Sequence, residues 1–358
     1  MTWLIEFGTT LITSVVAAGG VVSSWWLPPS YEATLHTAPA IITPTPLPNL
    51  DTTAARIPQV LIENAAYQQA AVLGSQDTLP AGVHNPAEAM VNIFCSFRNE
   101  NTIRYTTGSG FFITPSGIIL TNAHVAQFLL LEAVDEDGTA NCTVRQGDPA
   151  APRYEAALLY ISPTWVQEHA ALISDVAPKG TGAFDYALLY VTGGVDTQPV
   201  PRSLPHITID TALPSTRSIG TTISVGGYPT ANTEQLISGE ALPRQYATTT
   251  LVDLYTFGSN YGDIYLLGGS RVGTQGVSGG PVITEDGTAI AMVVTRGEDE
   301  RQGAGSLNAI TLSYIDRSIE AETGFGLART ISGNLSFKAA VFQRTLVPFL
   351  ARMLEQEL

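Results

Sequence analysis

The 358-residue chain has little positive charge: 17 Lys and Arg residues stand against 32 Asp and Glu residues, and the formal net charge is -15 at pH 7. A surface of this sign repels phosphate backbones, so we expect no nucleic-acid partner. The chain also lacks CxxC and HExxH spacings, and no Gly-rich loop with a Lys follows a strand-like run. We therefore expect no metal ion and no nucleotide cofactor.

Cysteine is scarce as well, with only Cys95 and Cys142 in the whole chain. Each lies in a run with the pattern of a strand. Two buried thiols in a reducing compartment and one disulfide in an oxidising compartment both fit this count. A bridge would close a loop of about 47 residues and stabilise the fold by about 3–4 kcal/mol. The pair is therefore a disulfide candidate whose state depends on where the protein resides.

The N-terminal segment contains no Lys or Arg, and residues 4–27 are almost entirely apolar, with Glu6 as their one charge. A helix of this length measures about 35 Å, enough to cross a bilayer, and tryptophans lie at both of its ends. We predict a membrane anchor over residues 1–27. A signal peptide cleaved after Ala18 is the alternative, and it would leave a secreted protein.

Two short regions connect this segment to the rest of the chain. Residues 28–55 carry six prolines and no hydrophobic periodicity, which indicates a semi-extended stalk. Residues 56–88 form a lead-in, in which residues 56–74 predict one helix with Pro58 near its start and Gly74 at its end. We expect this helix to pack against the domain that follows.

From residue 89 the pattern changes to short apolar or alternating runs separated by Gly, Pro, Asn and Asp. Six runs fall within residues 89–200 and, after a Pro-rich bridge, six more fall within residues 201–323. This pattern predicts an all-β fold of two similar six-stranded antiparallel barrels packed together. A helical insertion is expected over residues 165–176 and a closing helix over 314–323. The predicted strands are residues 90–97, 108–114, 117–123, 140–146, 154–162, 184–191, 221–228, 247–257, 263–269, 280–284, 289–295 and 307–313.

The C-terminal extension, residues 324–358, contains an amphipathic stretch from residue 335 onward. We predict that this helical stretch packs on the protein body rather than on a membrane. Its apolar residues at helical spacing are Val341, Phe342, Leu346, Phe349, Leu350, Met353 and Leu354.

Three short segments, each on or beside a predicted strand end, carry the candidate catalytic residues: TNAHVA (121–126), FDYALLYV (184–191) and GTQGVSGGPVI (273–283). A serine hydroxyl needs an adjacent base, and histidine suits that role because its ordinary pKa lies near neutral pH. A carboxylate behind the histidine fixes its tautomer. Each segment alone has an ordinary structural explanation. Their combination favours catalysis by Ser278, His124 and Asp185.

Together the segments resemble the motifs of the trypsin-like serine protease superfamily, in its bacterial HtrA-like branch, over roughly residues 89–322. The matching stretches are TNAHV, DYALL and GVSGGP. The resemblance implies a double six-stranded β-barrel with the active site in the cleft between the barrels. It implies that His124 is the general base, Asp185 its partner and Ser278 the nucleophile. The backbone N–H groups of Gly276 and Ser278 would then form the oxyanion hole.

The sequence also departs from relatives in this superfamily. Val277 stands where digestive members carry Asp before the serine, and no Arg-Ile-Val-Gly-Gly site opens the first barrel. We therefore expect the site to form without proteolytic activation. The residues after 323 are too few for the PDZ domain of HtrA proteins. The family's pocket floor lies about six residues before the serine, at Val272, which favours a small or medium apolar substrate side chain.

The sequence thus predicts a membrane-tethered, extracytoplasmic serine endopeptidase that acts on protein or peptide substrates through an acyl-enzyme. The alternative is a catalytically silent homologue that uses the cleft to bind peptides. An esterase is disfavoured because the GxSGGP segment leads into a predicted strand, not into the strand-to-helix turn of GxSxG hydrolases. The oligomeric state is left open.

Overall fold

The computed structural model describes residues 57–82, 85–98, 103–133, 140–174, 180–230, 241–297 and 303–357. The anchor predicted over residues 1–27 and the stalk predicted over residues 28–55 lie outside these ranges. Within the ranges that are described, every helix is too short or too polar to cross a bilayer.

The first barrel is closed by six antiparallel strands in the order β1-β2-β3-β6-β5-β4. Alternating and apolar runs build these strands, and most of their inward side chains are fully buried. The strands are β1 (Met90–Arg98), β2 (Ile103–Phe112), β3 (Ile118–Thr121), β4 (Ala140–Gln146), β5 (Ala151–Ile161) and β6 (Ala187–Gly194).

The second barrel repeats this plan with the strand order β7-β8-β9-β12-β11-β10 around the closed sheet. Its strands are β7 (Thr222–Gly227), β8 (Gln245–Tyr255), β9 (Ile264–Leu267), β10 (Pro281–Ile283), β11 (Ala289–Arg296) and β12 (Leu307–Thr311). The prediction of two similar six-stranded antiparallel barrels is therefore confirmed.

Three predicted strands begin three or more residues away from the predicted start. β5 begins at Ala151 instead of residue 154, because its ladder with β4 continues to the pair Gln146 and Ala151. β2 begins at Ile103 instead of residue 108, because the β1–β2 ladder continues without a break as far as the pair Arg98 and Ile103. β6 begins at Ala187, three residues later than predicted. The reason is Phe184, whose φ of 58° lies in the left-handed region and cannot continue a strand.

The candidate disulfide is present in the structure. Cys95 on β1 and Cys142 on β4 face each other across the barrel sheet and are bonded through their sulfur atoms. Their sequence separation is 47 residues. A closed loop of this length stabilises the fold by about 3–4 kcal/mol, mainly by restricting the unfolded chain.

The prediction of one helix over residues 56–74 is wrong, because the structure has two: α1 (Ile57–Glu63) and α2 (Ala65–Val72). Asn64 separates them. Its backbone is extended, and its side-chain oxygen accepts the N–H of Tyr67, so it caps the start of α2. Both helices pack against the C-terminal part of the chain, where the ring of Tyr67 stacks on Phe325 at 5.7 Å.

The other helices begin where their capping residues stand. α3 (Ala123–Glu132) follows β3, and α4 (Pro163–His169) starts after Ser162, whose hydroxyl accepts the N–H of Trp165. A 3₁₀ turn (Ala170–Ser174) follows, and the last two residues of the predicted insertion, 175 and 176, lie outside the described ranges. The closing helix α5 (Leu312–Thr323) starts two residues earlier than predicted, because Thr311 caps it.

The C-terminal extension forms α6 (Leu327–Thr330), α7 (Leu335–Thr345) and α8 (Val347–Glu355), so the amphipathic stretch is broken at Leu346. A proline in the first turn of α8 accounts for the break. The prediction that this stretch packs on the body is confirmed. Its residues join the core cluster of the first barrel, and the fully or nearly fully buried ones are Val341, Phe342, Leu346, Leu350 and Leu354.

Asp263, just before β9, is a fully buried carboxylate that organises the β8–β9 turn. Arg317 on α5 donates to its Oδ1 at 2.7 Å, while Phe257 N–H and the hydroxyls of Thr256 and Ser259 donate to Oδ2. Burial alone would raise the pKa of Asp263. The hydrogen bonds outweigh burial, and the pKa lies below its ordinary value of 3.8.

This arrangement predicts an acid-sensitive contribution to stability. The pKa of Asp263 is lower in the folded than in the unfolded chain, so its stabilisation is complete above the unfolded pKa and is lost as pH falls through the folded one. Asp263→Asn should lower the free energy of unfolding by about 3 kcal/mol near pH 7, because the amide has one acceptor oxygen and no charge, so either Arg317 or the donors to Oδ2 lose their acceptor. Urea unfolding near pH 7 and near pH 2 measures the difference, which should shrink at the lower pH.

The matched control for this comparison is Asp196→Asn, since Asp196 is exposed. It should change stability by less than about 0.5 kcal/mol at either pH. A loss in Asp263→Asn that is equally large at both pH values would contradict the assigned role of the carboxylate.

Candidate active site

His124 lies in the first turn of α3, immediately after β3 ends at Thr121. Its side chain is 18% exposed, so one edge of the ring reaches solvent. The residue at the helix N-cap, Asn122, does not cap the helix with its side chain. It donates instead to the backbone carbonyl of Asp185 at 2.9 Å, which fixes the start of α3 against the segment before β6.

Asp185 is 5% exposed and uses both carboxylate oxygens on His124. Oδ1 accepts the backbone N–H of His124 at 2.9 Å, and Oδ2 lies 2.7 Å from Nδ1 of the ring. A carboxylate in this position accepts, so the proton of the neutral imidazole belongs on Nδ1 and Nε2 is left as the basic nitrogen. The pair can therefore orient a base and support the charged ring.

Ser278 lies in a turn of the second barrel, before β10, and is partly exposed. Its hydroxyl donates to the carbonyl of Val294 at 3.3 Å. Among the described residues it makes no hydrogen bond to His124. The structure thus shows the hydroxyl turned toward β11, and it must leave Val294 O before it can donate to a base.

The three segments that carry the candidate residues are in contact with each other. A Cβ added at Gly279 would lie 1.9 Å from Ser109 O and 2.7 Å from Thr121 Oγ1. The serine turn (residues 276–280) therefore packs closely against β2 at Ser109 and against the end of β3 at Thr121. A Cβ at Gly182 would lie 2.9 Å from the Val294 side chain. The loop before Asp185 therefore touches the strand that accepts the Ser278 hydroxyl.

Ser109 on β2 is the residue that sequence reasoning missed. It is fully buried, and its N–H donates to Ser278 O at 2.7 Å while its hydroxyl donates to Gly276 O at 2.7 Å. The same hydroxyl oxygen accepts Tyr228 N–H at 2.9 Å. A first-barrel residue thus holds both ends of the serine turn. The sequence around Ser109 offered one local indication of a special role, which is that it lies between two glycines, Gly108 and Gly110.

Two backbone N–H groups in the serine turn are available to a ligand. The carbonyl of Gln275 accepts Thr230 N–H at 2.8 Å, and in a trans peptide this directs the N–H of Gly276 the opposite way. Neither Gly276 N–H nor Ser278 N–H donates to any described residue. Gly276 has a φ of 85°, and a Cβ there would lie 2.6 Å from Tyr228 O. Only glycine fits this position.

The two valines near the serine are part of the second-barrel core. Val272, the predicted pocket floor, has no exposed surface, and Val277 is 2% exposed. The structure therefore shows no open pocket that reaches Val272. A cavity of about 740 Å³ lies elsewhere on the second barrel, lined by residues that include Asp210, Tyr265 and Asp286. It contains none of the candidate residues.

Metal-binding side chains do not gather in the described parts of the chain, where no group of three or more His, Cys, Asp or Glu residues could hold an ion.

Residues 108–292 match the family model described as the trypsin-like peptidase domain. The chain belongs to this family. The matched range runs from β2 into β11 and contains His124, Asp185, Gly276 and Ser278. The resemblance to the trypsin-like serine protease superfamily is thereby confirmed.

Solved structures of the Rv3671c protease from M. tuberculosis are also similar to this chain. Its active form is 20% identical with a TM-score of 0.41, and the match covers 70% of this chain and 92% of that one. An inactive serine-to-alanine mutant form is 20% identical with a TM-score of 0.39, and the match covers 69% and 97%. No curated protein matches the chain.

Proposed function

We propose that the protein is a serine endopeptidase in which Ser278 is the nucleophile, His124 the general base and Asp185 the orienting carboxylate. The observation that carries this proposal is the double hydrogen bond of Asp185 to His124, which fixes the orientation of the imidazole ring. The free N–H groups of Gly276 and Ser278 supply the oxyanion hole.

The reaction follows from these positions. The Ser278 hydroxyl leaves Val294 O, turns toward Nε2 of His124 and attacks the substrate carbonyl carbon while its proton passes to Nε2. The carbonyl oxygen becomes an oxyanion that accepts from Gly276 and Ser278, and Asp185 stabilises the charged ring. The proton on Nε2 then goes to the leaving amine as the peptide bond breaks. Water repeats the attack on the acyl-enzyme and restores Ser278.

Substrate class and location belong to the same proposal. The enzyme acts on protein or peptide chains, with a small or medium apolar side chain before the scissile bond. Because Val272 has no exposed surface in the structure, its role as the pocket floor requires that the side chains covering it move when substrate binds. An anchor over residues 1–27 and a stalk over residues 28–55 hold the catalytic barrels (residues 89–200 and 201–323) outside the membrane. The Cys95–Cys142 disulfide supports this location, because such bonds persist in oxidising compartments.

A second candidate function is a catalytically silent homologue that binds peptides in the same cleft. One observation favours it, which is that Ser278 donates to Val294 O and not to His124. In a competent enzyme this hydroxyl must exchange partners at little cost. At 3.3 Å the bond it leaves is long and weak.

Labelling with a fluorophosphonate probe separates the two candidates. In the enzyme, the folded protein should be labelled at one residue, and peptide mapping by mass spectrometry should place the label on Ser278. The same protein unfolded in urea should not react, because its serine has no base. Casein should be cleaved, and casein turnover set against turnover of a short ester measures the preference for peptide bonds. An unlabelled folded protein would contradict the enzyme.

A further inference from the structure

The residues on either side of Asp185 are both held by the closing helix α5. On the N-terminal side, the backbone N–H of Phe184 donates to the hydroxyl of Tyr314 at 3.1 Å, and the two rings are in contact at 6.0 Å. Phe184 has a φ of 58°, a conformation that a bulky residue keeps only when its surroundings enforce it. The contacts of Tyr314 hold the backbone of Phe184 in this conformation, one residue before Asp185.

On the C-terminal side, Tyr186 is fully buried and its hydroxyl ends on the same helix. It lies 2.7 Å from Ser318 Oγ and 3.0 Å from Glu322 Oε2, and both are hydrogen bonds. A fully buried tyrosine that is fixed at its tip also fixes its own backbone. The backbone of Tyr186 is directly bonded to Asp185.

Glu322 on α5 is held in place by several hydrogen bonds. It is 3% exposed and accepts from Tyr160, from Tyr186 and, at 2.9 Å, from the hydroxyl of Ser162. Burial raises the pKa of Glu322, and the same burial raises the pKa values of the tyrosines around it. A carboxylate kept in the interior by several donors has little freedom to move.

The three α5 residues are four positions apart, so Tyr314, Ser318 and Glu322 lie on one face of the helix. The reaction assigned to the triad uses none of them. Their bonds reach a segment of the first barrel, although α5 follows the last strand of the second. The C-terminal end of α5 is held by α2, because Gln68 Nε2 donates to Thr323 O at 2.8 Å.

We propose that this face of α5, which we term the α5 clamp (Tyr314, Ser318 and Glu322), positions Asp185 for catalysis by fixing Phe184 and Tyr186. The inference rests on the proposed role of Asp185 in orienting His124. The clamp residues touch neither substrate nor the reacting atoms, and they act through the geometry of the His124–Asp185 pair.

The test compares Tyr186→Phe with Tyr160→Phe. Both tyrosines are fully buried, their rings stack on each other at 6.2 Å, and both donate to Glu322 Oε2, so each variant removes one hydroxyl from the same carboxylate. Only Tyr186 is adjacent to Asp185. We expect similar losses in the urea midpoint of unfolding. We expect Tyr186→Phe to lower kcat by about tenfold or more with KM little changed, and Tyr160→Phe to lower kcat less than about twofold.

A spectroscopic readout makes the test independent of turnover. The proton between His124 Nδ1 and Asp185 should give a separate low-field NMR resonance in wild type and in Tyr160→Phe. In Tyr186→Phe the resonance should broaden or move upfield as the hydrogen bond loosens. Tyr314→Phe removes the acceptor of Phe184 N–H while keeping the ring, and it should act in the same direction; the double variant Tyr186→Phe with Tyr314→Phe should act more strongly.

The outcomes separate the clamp from the proposed function. Equal effects of Tyr186→Phe and Tyr160→Phe on kcat, or an unchanged resonance in Tyr186→Phe, would overturn the clamp. A wild type that neither cleaves casein nor reacts with the fluorophosphonate would overturn the proposed function. If such a protein still showed the resonance, and lost it in Tyr186→Phe but not in Tyr160→Phe, the positioning inference would stand.

Discussion

Replacing Ser278 with Ala is expected to lower kcat for peptide hydrolysis by about 10⁶-fold, because it removes the only atom that can form the acyl-enzyme. The binding surface and the N–H groups of Gly276 and of residue 278 itself remain in the variant, so KM should change little. These groups alone leave a residual acceleration of about 10³–10⁴-fold over the uncatalysed reaction. Cleavage of a fluorogenic peptide, followed over hours for the variant, measures the loss.

The control for this variant is Ser336→Ala, which removes an exposed hydroxyl whose partner among the described residues is Asn334 in the C-terminal part of the chain. It should retain wild-type kcat and KM. Ser278→Ala should also retain the wild-type urea midpoint within experimental error, since the hydroxyl it loses makes one long hydrogen bond. A variant that kept more than about one-hundredth of the activity would show that another group is the nucleophile.

The turn that contains Ser278 leaves the N–H of Gly276 without a partner among the described residues. Gly276 N–H points away from the Gln275–Thr230 hydrogen bond and has no described partner, so no backbone carbonyl needs to be displaced from the oxyanion site. In digestive relatives a freed N-terminus stabilises this turn through the Asp before the serine. Here Val277 fills that position and packs in the barrel core, while Ser109 holds the turn from the first barrel. These contacts support a site that forms without proteolytic activation.

The sequence predicted the parts of the fold that depend on local pattern. Short apolar runs with turn residues between them predicted the twelve strands, and the helical periodicity after residue 335 predicted a stretch that packs on the body. Two helix breaks were missed, although local signals existed. Asn64 is a favourable N-cap and Pro348 is a favourable first-turn residue, so each could have been interpreted as a new helix start.

The parts that sequence could not predict depend on contacts between distant residues. Ser109 meets Gly276 across 167 positions, and Glu322 meets Tyr160 across 162. The GSG run around Ser109 and the helical pattern around Glu322 do not show which distant residues each of them contacts. The left-handed backbone of Phe184 is also a tertiary effect, because a phenylalanine has no preference for that conformation. The candidate catalytic residues could be predicted because their chemistry restricts which residue types can stand together.

Asp185→Asn is expected to lower kcat by about 10⁴-fold while leaving the fold and KM almost unchanged. In the structure both carboxylate oxygens accept from donors of one residue, the backbone N–H and the ring Nδ1 of His124. An asparagine has one oxygen and one NH₂ group. Its oxygen can continue to accept the backbone N–H, but its NH₂ group then faces Nδ1 and must donate to it.

That arrangement satisfies every hydrogen bond only if the ring proton moves from Nδ1 to Nε2. The protonated Nε2 of His124 can no longer accept the proton of Ser278, so the Asp185→Asn variant is stable and folded but holds the wrong tautomer. ¹⁵N chemical shifts of the His124 ring should show this exchange directly, and the rate of fluorophosphonate labelling should fall together with kcat. The exposed variant Asp196→Asn controls for the loss of one negative charge. A loss below about tenfold, with Nε2 still unprotonated, would show that Asp185 does not set the tautomer of the base.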